Sequence, residues 1–127
     1  MFLKHVGLAC STEENADKFY QGLLGLNKSA PKTLAPDLAK AIFNLQAELQ
    51  IINYQDDKLH FEVFITSLID NESRQIAHQC LEVDALSDFI EKCRTLNVAI
   101  SQISKGDKTL IFIKDFDGNL FEIKGVS

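Results

Sequence analysis

The two halves of this 127-residue chain repeat one pattern, and the repeat limits the possible folds more than any other feature. Each half opens with an apolar strand that contains a histidine, His5 in the first half and His78 in the second. A helix with an apolar stripe follows each of these strands, and further strands follow each helix. One such module cannot bury its sheet alone, whereas two copies related by a pseudo-twofold axis can. The repeat therefore predicts an α+β fold of two stacked modules, each with a strand, a helix and then a run of strands.

The chain length suits a single domain that contains both modules. The predicted segments are module 1 at residues 1–55, a linker at 56–75 and module 2 at 76–127. Within module 1, both prolines fall in residues 27–40, which predicts a loop. Apolar residues at 41–45 and 48–53 then predict two strands joined by a short turn. The secondary structure of the linker stays open, because its pattern fits a strand or a short helix.

Capping residues indicate where the two helices begin. Ser11 and Glu14 fit a capping box, so Ser11 is the predicted N-cap of the first helix. Gly25 is suited to the end of that helix. Asp84 is the predicted N-cap of the second helix.

The last two strands are predicted to form a β-hairpin. Apolar runs flank Asp117-Gly118, a dipeptide that tolerates positive φ in a tight turn. The second strand of this hairpin carries one acid, Glu122, between apolar residues. Because burying an unpaired carboxylate is unfavourable, Glu122 requires either solvent or a cation.

The composition excludes several classes of protein. Eighteen acidic residues outnumber thirteen lysines and arginines, giving a net charge of -5, which argues against nucleic-acid binding. The sequence has no apolar run of about 18 residues and no signal-peptide pattern, so we expect no membrane partner. Three cysteines without a CxxC motif suit free thiols in a reducing compartment. We therefore expect a cytoplasmic protein.

Three stretches of the chain share motifs with one known superfamily. They read His-Val-Gly-Leu-Ala at residues 5–9, Ala-His-Gln-Cys-Leu-Glu-Val-Asp at 77–84 and Asp-Phe-Asp-Gly-Asn-Leu-Phe-Glu-Ile at 115–123. With the repeat, they resemble the vicinal oxygen chelate superfamily, which includes glyoxalase I, bleomycin-resistance proteins and extradiol dioxygenases. The resemblance covers the chain except residues 53–75. It implies two βαβββ modules that pair by a pseudo-twofold axis into a cupped mixed sheet around a metal, with the helices on the outer face. It also implies a homodimer as the expected assembly.

The resemblance implies one divalent ion, Zn, Ni, Co, Mn or Fe, bound by His5, Gln50, His78 and Glu122. Imidazole, amide and carboxylate donors suit such borderline ions. Gln50 follows His5 by 45 positions (50 − 5) and Glu122 follows His78 by 44 (122 − 78), so Gln50 is the predicted repeat partner of Glu122. Glu48 is a rival for the role of Gln50, because residues two apart share a strand face. His60, outside the repeat, is predicted to be a surface residue.

The resemblance also implies a metal-dependent lyase or isomerase that moves a proton next to a carbonyl held on the metal. Gln50 resembles the ligand set of methylmalonyl-CoA epimerase, whereas bacterial glyoxalase I typically has a carboxylate at that position. The separate acid of the epimerase is expected at residues 41–44, which carry no carboxylate. Glu122 is therefore the expected catalytic base. The implied substrates are 2-oxo acid derivatives, thioesters or thiohemiacetals.

Two alternative functions stay open from the residues. His5, His78 and Glu122 would also form a facial triad for Fe(II), as in an oxygenase of the extradiol type. A cup without metal would instead be a non-catalytic small-molecule binding protein of the bleomycin-resistance type. Metal content separates this last alternative from the two enzymes.

Overall fold

The computed structural model of the chain describes residues 1–69 and 75–126, which fall into two compact units. The first unit spans Met1–Ile69 and the second Asp70–Ser127. Each unit combines one β-sheet with at least one helix, so the predicted α+β class and the two-module organisation are confirmed. Among the described residues, no helix is both long enough and apolar enough to cross a membrane.

The first unit has a mixed sheet in which the N-terminal strand is parallel to its neighbour. Its elements are β1 (Val6–Cys10), α1 (Glu13–Ala16) continuing as a π-helix (Asp17–Leu23), β2 (Asn27–Lys28), β3 (Lys32–Leu34), α2 (Pro36–Phe43), β4 (Leu49–Gln55) and β5 (His60–Ile65). The strand order is β1-β5-β4-β2, with β3 also paired to β4. β1 is parallel to β5, and the other pairs are antiparallel.

The second unit repeats this topology. Its elements are β6 (His78–Val83), α3 (Leu86–Thr95), β7 (Ala99–Lys105), β8 (Lys108–Lys114) and β9 (Leu120–Gly125). The strand order is β6-β9-β8-β7, with β6 parallel to β9. By position in the sheet, β1, β4 and β5 correspond to β6, β8 and β9, and the short β2 and β3 correspond to β7. α2 lies where the second unit has only a tight turn at Gly106, whose φ is 62°.

Helical residues cover one face of the first sheet. The Tyr20 ring lies 5.5 Å from the Tyr54 ring and 5.3 Å from the Phe61 ring. Ile52 and Tyr54 on β4, and Phe61 and Val63 on β5, are buried on this face at every second position. The corresponding buried residues of the second sheet are Leu81, Ile111, Ile113, Phe121 and Ile123. In each unit, the intervening strand residues therefore lie on the other face, which the helix after the first strand leaves uncovered. In the first unit, the end of α2 contacts this uncovered face, because Phe43 packs on Phe64.

The segment before β4 differs from the prediction. The predicted loop at 27–40 contains β2, β3 and most of α2, and the strand predicted at 41–45 is wrong because α2 continues to Phe43. Pro36 lies in the first turn of α2, where a missing N–H is tolerated, and Asn44 follows the helix with φ of 58°. A short apolar run does not distinguish a strand from a helix end. The strand predicted at 48–53 is confirmed as β4.

Part of the predicted linker at 56–75 forms a central strand of the first sheet, β5. The prediction of a linker is therefore wrong for the residues of β5. β5 pairs with β1 on one side and with β4 on the other. The alternation of buried Phe61 and Val63 with half-buried Glu62 is the usual pattern of a strand with one buried face. Residues 70–74, also within the predicted linker, lie outside the described residues.

Both helices begin one residue later than predicted. Thr12 rather than Ser11 caps α1, and its side-chain oxygen accepts a hydrogen bond of 3.1 Å from the backbone N–H three residues later. The N-cap of α3 is Ala85 rather than Asp84, and it has no side-chain capping bond. Gly25 follows the first helix with φ of 72°, so the predicted stop is confirmed.

The predicted hairpin of β8 and β9 is confirmed, but a five-residue loop joins the strands instead of a tight turn. Asp115 begins this loop and is buried, with 5% of its surface exposed. Its carboxylate accepts hydrogen bonds from the backbone N–H groups of Asp117 (2.9 Å) and Asn119 (2.8 Å), and from Asn119 Nδ2 (2.7 Å). Gly118 has φ of 87°, which favours glycine. Asp115 therefore holds the loop that precedes the Glu122 strand.

Asp115→Ala is expected to lower the free energy of unfolding by about 3 kcal/mol, because it leaves buried N–H groups without their acceptor. Urea denaturation measures this change. Asp107→Ala, in the exposed turn between β7 and β8, is the matched control, with an expected change within about 0.5 kcal/mol. Equal destabilisation by the two substitutions would contradict the role of Asp115.

A polar network links the π-helix to the first sheet. The Tyr54 hydroxyl donates a hydrogen bond of 2.7 Å to Asp17 Oδ1. Lys28 Nζ forms ion pairs with Asp17 Oδ2, at 3.0 Å, and with Glu13. Burial, followed by the hydrogen bond to Asp17, raises the pKa of Tyr54 far above its usual value.

Tyr54→Phe is expected to lower the free energy of unfolding by about 1–2 kcal/mol at pH 7, because the hydrogen bond to Asp17 is lost. The raised pKa of the folded state makes the stabilisation by Tyr54 complete below about pH 10 and lost as the pH rises further. The difference between wild type and variant in urea denaturation should therefore narrow between pH 9 and pH 11. A difference that does not change with pH would contradict this assignment.

Candidate functional site

The first unit brings an imidazole and a carboxylate together on the uncovered face of its sheet. His5 directly precedes β1, and strand alternation places its side chain on the same face as Gly7. Gly7 pairs with Glu62 on β5. Glu62 lies on this uncovered face, because its neighbours Phe61 and Val63 are buried on the other one. His5 Nε2 is 3.8 Å from Glu62 Oε1.

The second unit has the same arrangement of a histidine and a glutamate. His78 begins β6 and shares a strand face with Cys80, which pairs with Glu122 on β9. Glu122 lies on the uncovered face of the second sheet, because Phe121 and Ile123 are buried on the other face. His78 and Glu122 are therefore diagonal neighbours on one face of the sheet.

The strand registers identify Glu62, rather than Gln50, as the repeat partner of Glu122. In each unit, the glutamate pairs with the residue two positions after the histidine. Glu62 follows His5 by 57 positions (62 − 5) instead of 44, because α2 and its flanking residues lengthen the first module. The Phe-Glu-Val around Glu62 resembles the Phe-Glu-Ile around Glu122. This local likeness could have found Glu62 from the sequence, whereas the comparison of spacings missed it.

Gln50 lies on the opposite face of the first sheet from His5. It shares a face of β4 with Tyr54, which is buried beneath the helical residues. Its Nε2 donates a hydrogen bond of 3.0 Å to Thr33 Oγ1. Glu48 precedes β4 and is exposed. The structure thus brings neither Gln50 nor Glu48 to His5, because β4 is the counterpart of β8 and not of the strand that carries Glu122.

A backbone contact defines which nitrogen of His78 is available. His78 Nδ1 is 2.7 Å from the carbonyl oxygen of Ile76. Because the carbonyl can only accept, Nδ1 carries the proton and Nε2 has the free lone pair. Histidines that bind metals usually make such a bond through their other nitrogen. The Phe112 ring lies 6.0 Å from the His78 ring, and Phe112 pairs with Glu122.

Two further polar residues, His60 and Asn53, lie near His5 on the same face of the sheet. The His60 ring lies 5.3 Å from the His5 ring, and His60 Nε2 is 2.6 Å from Asn53 Oδ1. The amide oxygen accepts this bond, so Nε2 carries the proton. Asn53 pairs with Glu62 across the β4–β5 ladder. His60 is therefore half-buried and lies beside His5 and Asn53 on this face of the sheet.

The donor pair in the first unit fits half of a metal site. Its 3.8 Å separation is too long for a hydrogen bond, whereas two donors bound to one tetrahedral ion lie about 3.4 Å apart. Imidazole and carboxylate together suit borderline divalent ions. Within residues 1–69 and 75–126, no group of three or more His, Cys, Asp or Glu side chains is placed to hold a metal ion.

Comparisons with known proteins find structural but no sequence matches. No protein-family model matches the chain, and neither does any curated protein. The glyoxalase family protein from Enterococcus faecalis matches with a TM-score of 0.74 and 15% identity, over 96% of this chain and 95% of that one. The fosfomycin resistance protein FosX from Mesorhizobium loti matches with a TM-score of 0.69 and 12% identity, over 99% and 92%.

A variant of FosX from Listeria monocytogenes, in complex with Mn(II) and 1S,2S-dihydroxypropylphosphonic acid, gives a TM-score of 0.76 at 14% identity, over 99% of this chain and 93% of that one. Glyoxalase family proteins and FosX are members of the vicinal oxygen chelate superfamily. Identities this low establish the fold and not the reaction. The chain therefore has the fold of the vicinal oxygen chelate superfamily.

Proposed function

We propose that the chain is a divalent-metal-dependent enzyme of the glyoxalase type, which moves a proton next to a carbonyl group of a small molecule. The main support for this proposal is that each unit has a histidine and a glutamate in the same relative strand positions. The pairs are His5 with Glu62 and His78 with Glu122. Each pair offers one imidazole and one carboxylate, and these are donors that suit a divalent ion. Glu62 takes the place that the sequence assigned to Gln50.

A carboxylate in the first module favours the glyoxalase I pattern over the epimerase pattern. The epimerase resemblance depended on Gln50, which lies on the other face of the sheet from His5. It also required an acid at residues 41–44, which instead form the end of α2 and the residue after it. A proton transfer by Glu122 needs no such acid, so the glyoxalase type explains more of the described residues.

The chain's own residues have distinct roles in this proposal. A bound divalent ion would stabilise the negative charge that develops when the C–H next to the carbonyl loses its proton. The bond from His78 Nδ1–H to the Ile76 carbonyl orients the imidazole. Glu122, half-buried on β9, accepts the proton and returns it to the neighbouring carbon. Phe112 lies beside this carboxylate on β8.

The proposal extends to a homodimer in the cytoplasm. The three cysteines are free, with Cys10 and Cys93 buried and Cys80 exposed. Free thiols are typical of a reducing compartment. Each sheet also has an edge strand, β2 or β7, and sheet edges are common sites of pairing between copies.

Metal titration of the full chain tests the proposal. After treatment with a chelator, the protein is expected to bind one Ni, Co, Zn or Mn ion per chain, as measured by calorimetry and elemental analysis. The loaded protein should then incorporate deuterium from solvent into a hemithioacetal, a 2-oxo acid derivative or a thioester. Failure to bind any of the four ions at this ratio would refute the enzyme and leave the non-catalytic binding protein.

Oxygen uptake separates the proposed reaction from the oxygenase. After anaerobic loading with Fe(II), an extradiol-type enzyme would consume oxygen with a catechol, using His5, His78 and Glu122. We expect no uptake above that of free Fe(II). Catalytic uptake without deuterium incorporation would support the oxygenase instead.

A further inference from the structure

The first unit contains a cavity of about 240 Å³ on the same face of the sheet as His5 and Glu62. Gly7 and Ala9 line it, and they follow His5 in steps of two along β1. Phe64 also lines it and follows Glu62 by two positions along β5. Two residues advance about 7 Å along a strand. The cavity therefore begins about 7 Å from the His–Glu pair.

The walls of this cavity are apolar and partly aromatic. Phe43, at the end of α2, lies with its ring centroid 5.1 Å from that of Phe64, and the two planes are 71° apart. Leu49 and Leu68 also line the cavity. Among the described residues that line it, none is charged, and Thr66 has the only polar side chain. Its hydroxyl accepts a hydrogen bond of 3.0 Å from the backbone N–H of Leu68.

We propose that this cavity binds an uncharged aromatic ring of the substrate, while the polar, reacting end of the same molecule lies at His5 and Glu62. The assignment of the reacting end rests on the proposed function. An apolar cavity of about 150 Å³ is known to hold benzene, so 240 Å³ accommodates one ring with a short substituent. Two aromatic walls favour edge-to-face packing of a third ring.

The lining also argues against a charged group in the cavity. A phosphonate or carboxylate placed there would lose water without gaining a cation. The dihydroxypropylphosphonic acid bound by the FosX variant is an anion of this kind, and it has no ring. We therefore expect selection for neutral aryl groups and against phosphonates at this position.

Fluorine NMR on the metal-free full chain tests the cavity directly, with 4-fluorobenzyl alcohol and 4-fluorobenzylphosphonate as matched probes. The neutral probe is expected to bind with a Kd of about 1 mM, given the small number of atoms that it buries. The phosphonate should bind at least about tenfold more weakly. Because no metal is present, failure of the proposed metal site leaves this measurement intact.

Two variants locate the binding. Ala9→Leu fills the cavity and should weaken binding of 4-fluorobenzyl alcohol at least about tenfold, whereas Phe43→Ala removes one wall and should weaken it about threefold or more. Ile42→Ala is the control for Phe43→Ala, since Ile42 is the preceding residue on α2, is 61% exposed and does not line the cavity. Ala99→Leu, on exposed β7, is the control for Ala9→Leu.

The outcomes have clear meanings. Weaker binding in both cavity variants, with unchanged binding in both controls, supports the assignment. Unchanged binding in Phe43→Ala and Ala9→Leu, or tighter binding of the phosphonate to the wild type, would overturn it. A chain that binds the probe as expected but takes up no metal would refute the proposed function and leave the cavity site in place.

Discussion

Glu62→Gln is expected to weaken binding of a divalent ion about 100- to 1,000-fold, whereas Gln50→Ala should leave it unchanged within about threefold. Sites with four ligands bind zinc with about 10–16 kcal/mol, so one donor contributes about 2.5–4 kcal/mol. Glu62 lies 3.8 Å from His5 on the uncovered face, while Gln50 is bonded to Thr33 on the other face. Calorimetric titration of the wild type and both variants with Co measures the difference.

The pair of substitutions also separates the two possible assignments of the first-module ligand. Far-UV circular dichroism and the urea midpoint of each variant establish that it is folded. Loss of metal affinity in Gln50→Ala, with wild-type affinity in Glu62→Gln, would restore Gln50 as the ligand. It would also require a different register of β4.

Glu122→Gln is expected to lower the rate of deuterium incorporation by at least about 1,000-fold at saturating metal. General base catalysis typically contributes about 10²–10⁴-fold, and the amide of glutamine cannot accept the proton. Metal affinity of the same variant is measured separately, so that loss of the base is distinguished from loss of a donor. The assay uses the substrate with the highest wild-type exchange rate.

Glu82→Gln is the matched control for Glu122→Gln. Glu82 lies on the same face of the second sheet as His78, four positions further along β6, and is exposed. Its substitution removes an equal charge from that face and should change the exchange rate less than about twofold. Wild-type exchange in Glu122→Gln would exclude Glu122 as the base, and a large loss in Glu82→Gln would point to Glu82 instead.

The topology of the second unit could be predicted because it depends on repeated local patterns, whereas β5 of the first unit falls in the predicted linker at 56–75. Alternating apolar residues, the stripe of the second helix and the paired histidines each appear in short windows of sequence. The hairpin that contains Glu122 could be predicted in the same way, because Asp117-Gly118 separates two apolar runs. His78 and Glu122 were placed correctly on their strands for this reason.

The site in the first unit was harder to predict, because it depends on which strand is the counterpart of β9. Equal spacing placed that counterpart on β4, but α2 displaces it to β5. Side chains alternate between the two faces of a strand, so the choice of strand and register decides which face a residue occupies. Gln50 lies on the opposite face of the sheet from His5. Asp115 illustrates a different limit: its acidic neighbour Asp117 looks the same in sequence, and only the folded loop shows which carboxylate is buried.

The helix α2 is a difference between the two halves of the chain. The histidines and glutamates lie in the strand arrangement that both halves share. Phe43 belongs to α2, which has no counterpart in the second half. A change in this one connection between β3 and β4 would therefore alter a wall of the cavity without altering the strands that carry the histidines and glutamates.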